Sequence, residues 1–385
     1  MTVLFDDAAA APGTHVLLIG VGDYPFLKDG SSPQRFAQHM NMGQLSSPPR
    51  SVDELAHWFA DTQNGFHNPE RPLRSIQALC SATPELDWTL AGGAKAIVAR
   101  AQTAAVKQAI VDWMARASRN EDNLAVFYFC GHGLSFGEVQ NTLLLEGFGG
   151  NVHDPMADAI AFDALRLGLM SKCDARYQCY FIDACRTLPT REFTDAHVSG
   201  GFGDAVVSAG LTRRLRDKMA PVYFATGLAS AAYGLKDRPS LFTQGLLQSF
   251  RGSASRDADD HWEVTVPAVA EGINKCVESL AFQSQPQYCQ PRETGQEFML
   301  HRLRGEPEVI VKVFTKDEAL LPQAILTHTS EATQVRAERK PLDVPWWVPL
   351  PLGKYKFEAV SAADNAVVFG QRSKFVAPPG AEVGL

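Results

Sequence analysis

The chain has 385 residues, 45% of them hydrophobic and 21% charged, with a formal net charge of −7. That length suits one large domain and a small one, and the globular composition excludes a disordered chain, a collagen-like repeat and a coiled coil. The acidic balance argues against general phosphate-backbone binding, and no apolar run reaches the ~18 residues of a membrane helix, so neither nucleic acid nor membrane is an expected partner.

The opening stretch MTVLFDDAAAAPG carries acids and no Lys or Arg before the apolar run Val16–Val21, unlike a secretory leader. Seven scattered cysteines, an odd number, fit a reducing compartment better than a disulfide framework, so a cytoplasmic protein is expected. No fixed-period repeat or low-complexity tract interrupts the chain. Short apolar runs instead read as buried parallel strands alternating with helices. His15–Gly22 is the first, followed by a Gly/Ser/Pro-rich loop over Asp29–Arg50. A helix is predicted to open at Ser51, where Ser-Val-Asp-Glu forms a capping box. Arg74–Leu79 is a second strand, and Ala94–Ala117 has the period of a long amphipathic helix.

Leu124–Cys130 (LAVFYFC) is the strongest strand and runs into Gly131-His132-Gly133, with Thr142–Leu145 as a hairpin strand behind it. Ala161–Met170 is helical, and the strand Gln178–Ile182 ends at Asp183-Ala184-Cys185-Arg186. A long loop over Thr187–Met219 leads to the strand Val222–Thr226, the helices Leu241–Phe250 and Val264–Leu280, and the strand Glu297–His301. After Arg304 the pattern changes to the short strands Val309–Phe314, Ala324–Thr327, Trp346–Leu350 and Lys354–Val360, parted by Pro and Gly. The reading is an α/β domain over 1–304, with a mostly parallel central sheet flanked by helices, and a small β-sandwich over 305–385.

In an open α/β sheet, ligands bind beyond the carboxyl ends of the strands. Two strands here end in capable residues, His132 and Cys185. On neighbouring parallel strands an imidazole and a thiol would emerge together, which is what a cysteine nucleophile requires. The glycines flanking His132 let a substrate backbone approach, and the Gly133 and Cys185 N–H groups are candidate oxyanion donors.

The succession HVLLIGVGDY, YFCGHG, YFIDACR and VYFATGLASAAYG, with Gln285-Pro286 before EFML, resembles the caspase–metacaspase–paracaspase superfamily over roughly residues 15–302. Caspases place a His about 50 residues upstream of a Gln-Ala-Cys-Arg-Gly motif. Here His132 precedes Asp183-Ala184-Cys185-Arg186-Thr187. The resemblance implies a cysteine endopeptidase with His132 and Cys185 as its dyad and no metal or organic cofactor. It also implies cleavage after Arg or Lys, because Asp183 occupies the motif position of a pocket acid in metacaspases and paracaspases, and Asp53 matches a second one. Two facing carboxylates favour a guanidinium over an ammonium. One departure is Ala229-Ser230-Ala231-Ala232, where some paracaspases carry a third acid. The loop after Cys185 resembles the family's activation loop, and Arg213, Arg214, Arg216 and Lys218 are candidate cut sites for the enzyme itself or for an upstream protease.

Blander readings stand beside these. Cys80, Cys130, Cys179 and Cys276 read as inert core thiols. Cys173 and Cys179 lack zinc-knuckle spacing, Asp257, Asp259 and Asp260 lack an EF-hand pattern, and Gly20-Val21-Gly22 lacks the third glycine of a dinucleotide fingerprint. Asp183 is alternatively a loop tie, and Asp53 an acid placed for the helix dipole. A scaffold on the same fold, or a hydrolase of thioesters or small amides, is the competing function.

Overall fold

Runs such as LLIGV and LAVFYFC have no polar face to turn to water, so they make a sheet only where helices cover both sides. The computed structural model describes every residue except 1, 8, 91–92, 198–200, 211–216, 229, 231–235 and 281–286. Among the described residues, β1 (Thr2–Asp6), β2 (Thr14–Val21), β3 (Leu73–Ser81), β4 (Leu124–Gly131), β5 (Tyr177–Ala184), β6 (Val222–Phe224) and β7 (Gln290–Arg292) form one sheet. Their order is β1-β3-β2-β4-β5-β6-β7. The five central strands are parallel, and β1 and β7 run antiparallel along the edges. Every residue of β2 and β4 is buried.

Helices supply cover on both faces. α2 (Thr103–Ala117) buries Val106, Ala109, Ile110, Trp113 and Ala117, a helical stripe that joins Phe127, Phe129 and Tyr180 in one core. α3 (Phe162–Lys172) adds Phe162, Leu165 and Leu169 to it. On the opposite pleat, α1 (Ser47–Ala60) comes so close that a Cβ at Gly20 would lie 2.8 Å from Val52 Cγ2.

Three expected boundaries move, each for a local reason. α1 opens at Ser47 with prolines in its first turn, which helices tolerate there, so Ser51 is not the cap. α2 is shorter than expected because Lys95–Ile97 pairs with Asp87–Thr89 in a hairpin whose turn uses Gly93 at φ +86°. The segment predicted as one helix from Val264 splits into the strand Trp262–Thr265 and the helix Val269–Leu280, joined by the single 3-10 turn Val266–Ala268, whose Pro267 the start of a helix tolerates.

The chain divides into two compact units, Met1–Thr243 with Gln287–Phe298, and Gln244–Pro286 with Met299–Leu385. Among its described residues the second holds a small sheet of Ser255–Asp257, Trp262–Thr265 and Met299–Arg302 and two larger ones, Trp346–Pro351, Glu308–Phe314 and Gly380–Gly384 in one, and Arg336–Arg339, Ala324–Ser330, Gly353–Ser361 and Val368–Val376 in the other. The two larger sheets form the sandwich. Val311, Val313, Leu326, Phe357 and Val383 share the core between them. This division differs from a boundary at 304, because the described residues 244–280 pack within the second unit. Gly252, at φ +150°, leaves no room for a Cβ, which would lie 2.5 Å from Glu308 N. Lys312 also approaches Glu278 of the helix Val269–Leu280 at 3.6 Å. No helix among the described residues is long and apolar enough to cross a membrane.

Candidate active site

β4 and β5 pair in parallel, Gly131 opposite Ala184. The next residue of each, His132 and Cys185, therefore leaves the sheet beside the other at its carboxyl edge. The two segments stay joined beyond the sheet, where Ser135 N–H donates to the Thr187 carbonyl at 2.9 Å. A Cβ at Gly133 would lie 2.6 Å from the Cys185 carbonyl oxygen and 3.0 Å from Ala184 Cβ, so glycine is what permits the approach.

His132 Nε2 lies 2.7 Å from the Gly43 carbonyl oxygen. A carbonyl only accepts, so Nε2 carries the hydrogen and Nδ1 keeps the lone pair. The imidazole packs on Tyr24 with centroids 4.7 Å apart, and the His132 backbone N–H donates to the Tyr24 hydroxyl at 2.8 Å. Burial pushes the imidazole pKa down to about 4, with the Gly43 carbonyl working against that shift. The ring is thus neutral at physiological pH and able to take a proton.

Of the seven cysteines, six are buried and Cys185 is partly exposed. Burial pushes the thiol of Cys80 up to about 12 and that of Cys276 to about 11, and raises those of Cys130, Cys173, Cys179 and Cys289 as well. Such thiols stay protonated and serve packing.

Asp183 pairs with Cys130 across the two strands and is only 3% exposed. Its Oδ2 accepts from the hydroxyls of Tyr128 and Thr243, each at 3.0 Å, and from that of Ser240. Burial raises the carboxyl pKa, and these hydroxyls with the Cys130 thiol oppose the shift.

The comparisons with known proteins meet this geometry. Residues 14–295 match the caspase-domain model of peptidase family C14. The chain belongs to the caspase-domain peptidases. It is a cysteine peptidase, a hydrolase of protein substrates. It is 27% identical, over 73% of its own length and 80% of the relative's, to the uncharacterised protein y4kE of Sinorhizobium fredii. Caspase-1 from Spodoptera frugiperda is a structural match with a TM-score of 0.42 and 10% identity, covering 79% of this chain and 98% of that one.

Within this caspase domain, two expectations from the sequence need correction. Asp53 is not brought to Asp183. Its carboxylate lies 3.1 Å from His57 Nδ1, and the His57 ring packs on Trp88 at 4.5 Å. Two helical residues stand about 200° apart, and it is Ser51 that meets the turn beside Asp183, accepting from Ser240 N–H at 3.1 Å. Lys218 is buried, and its ammonium donates to the carbonyls of Cys173 and Asp174 at 2.7 Å and of Ala175 at 2.9 Å. A side chain held this way is a structural anchor and not a presented cut site. Arg213, Arg214 and Arg216, like Ala229, Ala231 and Ala232, lie outside the described residues.

Three site groups escaped the sequence reading. Arg186 is 4% exposed, donates to Asn141 Oδ1 at 2.9 Å and Gln290 Oε1 at 2.7 Å, and stacks on Phe224 at 4.5 Å, which pins the residue after Cys185. Its adjacency to the cysteine was the available signal. Tyr24 sits just past the carboxyl end of β2, where an aromatic invited attention. The Gly43 carbonyl had no signal, because every residue has one.

Proposed function

We propose that the carboxyl edge of the sheet is the peptidase site, with Cys185 as nucleophile and His132 as acid–base group. One observation carries this reading: parallel pairing sets the two residues side by side, with the imidazole held by Gly43 so that Nδ1 exchanges protons. The thiol gives its proton to Nδ1 as sulfur attacks the scissile carbonyl carbon. The Gly133 and Cys185 N–H groups receive the oxyanion. His132 then protonates the leaving amine as the C–N bond breaks, and water, deprotonated by the same nitrogen, releases the acyl group and restores the thiol.

Asp183 receives a basic side chain at the residue before the cut, Arg in preference to Lys. Its raised pKa sets a direction for pH: a cation binds the ionised carboxylate best, so KM for an Arg peptide falls as pH rises. A second reading has support of its own, since all three hydroxyls on Asp183 are already in place and the group is nearly sealed. In that reading Asp183 ties the Ser240 turn to the sheet. Activation by a cut at Arg213, Arg214 or Arg216, made by the enzyme or an upstream protease, fits the held flanks: Asp204 N–H donates to the Ala159 carbonyl, and Met219 N–H to that of Arg176.

The test is cleavage of matched fluorogenic peptides with Arg, Lys or Asp before the scissile bond. Wild type should cut after Arg and Lys, and Cys185→Ala should lose at least about 10³-fold in kcat/KM. Asp183→Asn should raise KM for the Arg peptide while the fold holds. A drop in Tm with unchanged KM would assign Asp183 to the turn instead, and cutting after Asp would overturn the specificity.

A further inference from the structure

The imidazole of His132 is held by two loop segments, not by the strand that carries it. The segment after β2 brings Tyr24, fully buried, whose ring lies against the imidazole. Its hydroxyl accepts the His132 N–H at 2.8 Å and donates to the Leu144 carbonyl at 3.1 Å. The segment ahead of α1 brings Gly43, whose carbonyl receives Nε2–H. Backbone bonds join the two segments, Lys28 N–H to Met42 O at 3.1 Å and Leu45 N–H to Gly22 O at 2.9 Å. The Gln44 side chain closes the clasp. Its Oε1 accepts Tyr24 N–H at 2.8 Å, and its Nε2 donates to the Tyr24 carbonyl at 3.0 Å and the Lys28 carbonyl at 2.9 Å. The amide of one exposed residue thus makes three bonds, and all of them tie the neighbour of Gly43 to the backbone that carries Tyr24.

We propose that Gln44 and Tyr24 are positioning residues for the peptidase reaction, locking the Gly43 carbonyl and the imidazole plane into one unit. The proposal rests on His132 being the acid–base group. Neither residue touches reacting atoms. Gln44 acts by keeping the carbonyl where Nε2–H meets it, which keeps Nδ1 as the proton-exchanging nitrogen. A shift of about 1 Å there lets the ring turn or change tautomer, and misplacement of that size is costly to a rate.

The experiment uses Gln44→Met, close in length but without the amide, at an exposed position the fold tolerates, and Tyr24→Phe, which keeps the ring. Each should lower kcat about 10-fold with KM for the same peptide within about 2-fold. The pH dependence of Cys185 alkylation by iodoacetamide should move upward, because an imidazole without its carbonyl partner is a weaker base. Gln44→Glu keeps the acceptor and loses both donors, so it should not restore kcat. In a His132→Gln background, Gln44→Met should cost nothing further. A lowered Tm with unchanged kcat and alkylation profile, or additive losses in the double variant, would overturn the proposal. Full activity of His132→Gln alone would sink the acid–base assignment instead, so the two failures are distinguishable.

Discussion

Two histidines sit at opposite ends of the same sheet, His15 near the start of β2 and His132 just past the end of β4. Burial drives both imidazoles down to about 4. Their partners separate them. His15 Nδ1 lies 2.8 Å from the Ser75 hydroxyl, a group that donates or accepts as needed and leaves the tautomer unforced. His132 meets a carbonyl, which accepts only, and its neighbour past the end of the next strand is the partly exposed thiol of Cys185. A depressed pKa therefore marks burial, and an acid–base role needs a fixed tautomer with a reactive neighbour as well.

The largest effect that would break this comparison is kinetic. His132→Gln should lower kcat about 10³-fold, whereas His15→Gln should leave it within about 2-fold. Equal losses in peptide hydrolysis would mean that burial alone had been read as chemistry. A smaller contrast comes from two glycines at close approaches. Gly133→Ala pushes on the Cys185 carbonyl and should cost roughly 10²-fold in kcat, while Gly20→Ala pushes on α1 and should cost ~1–3 kcal/mol of stability with kcat per folded molecule unchanged. Active-site titration beside a denaturant melt separates the two. If Gly133→Ala loses stability only, the contact between the strand ends is structural.

These contrasts also mark what was legible in the sequence. The parallel strands were, because a run such as LAVFYFC has one stable environment, and the glycines around His132 showed where the chain leaves the sheet. The strand end and then the family resemblance pointed to Cys185, which is partly exposed while the other six thiols are buried. The edge strand Thr2–Asp6 and the strands Arg336–Arg339, Val368–Val376 and Gly380–Gly384 were missed. Those segments are short, half exposed or rich in charge, so pairing decides them more than composition does. Asp53 failed for a different reason: a motif position names a residue, but the helix phase decides what it faces. The Gly43 carbonyl and the Gln44 clasp were invisible because backbone acceptors and loop amides have no pattern of their own.

The mildest test concerns acid, and its sign follows from the same pair of histidines. The unfolded chain binds a proton at His15 near the ordinary value of 6.5, while the folded chain waits until about 4. Between those values the unfolded state holds more protons, so stability falls as the pH falls through that window. His132 adds a loss of the same sign. Asp183, raised by burial, works the other way, because its folded form takes up a proton first and gains stability as the pH drops. Measured by urea unfolding at about pH 7.5 and about pH 5, wild type should lose on the order of 2 kcal/mol more than His15→Gln over that interval. Equal losses would mean that His15 titrates normally in the folded chain. The comparison would then rest on His132 alone, with the depressed imidazole belonging to the site and not to burial in the sheet at large.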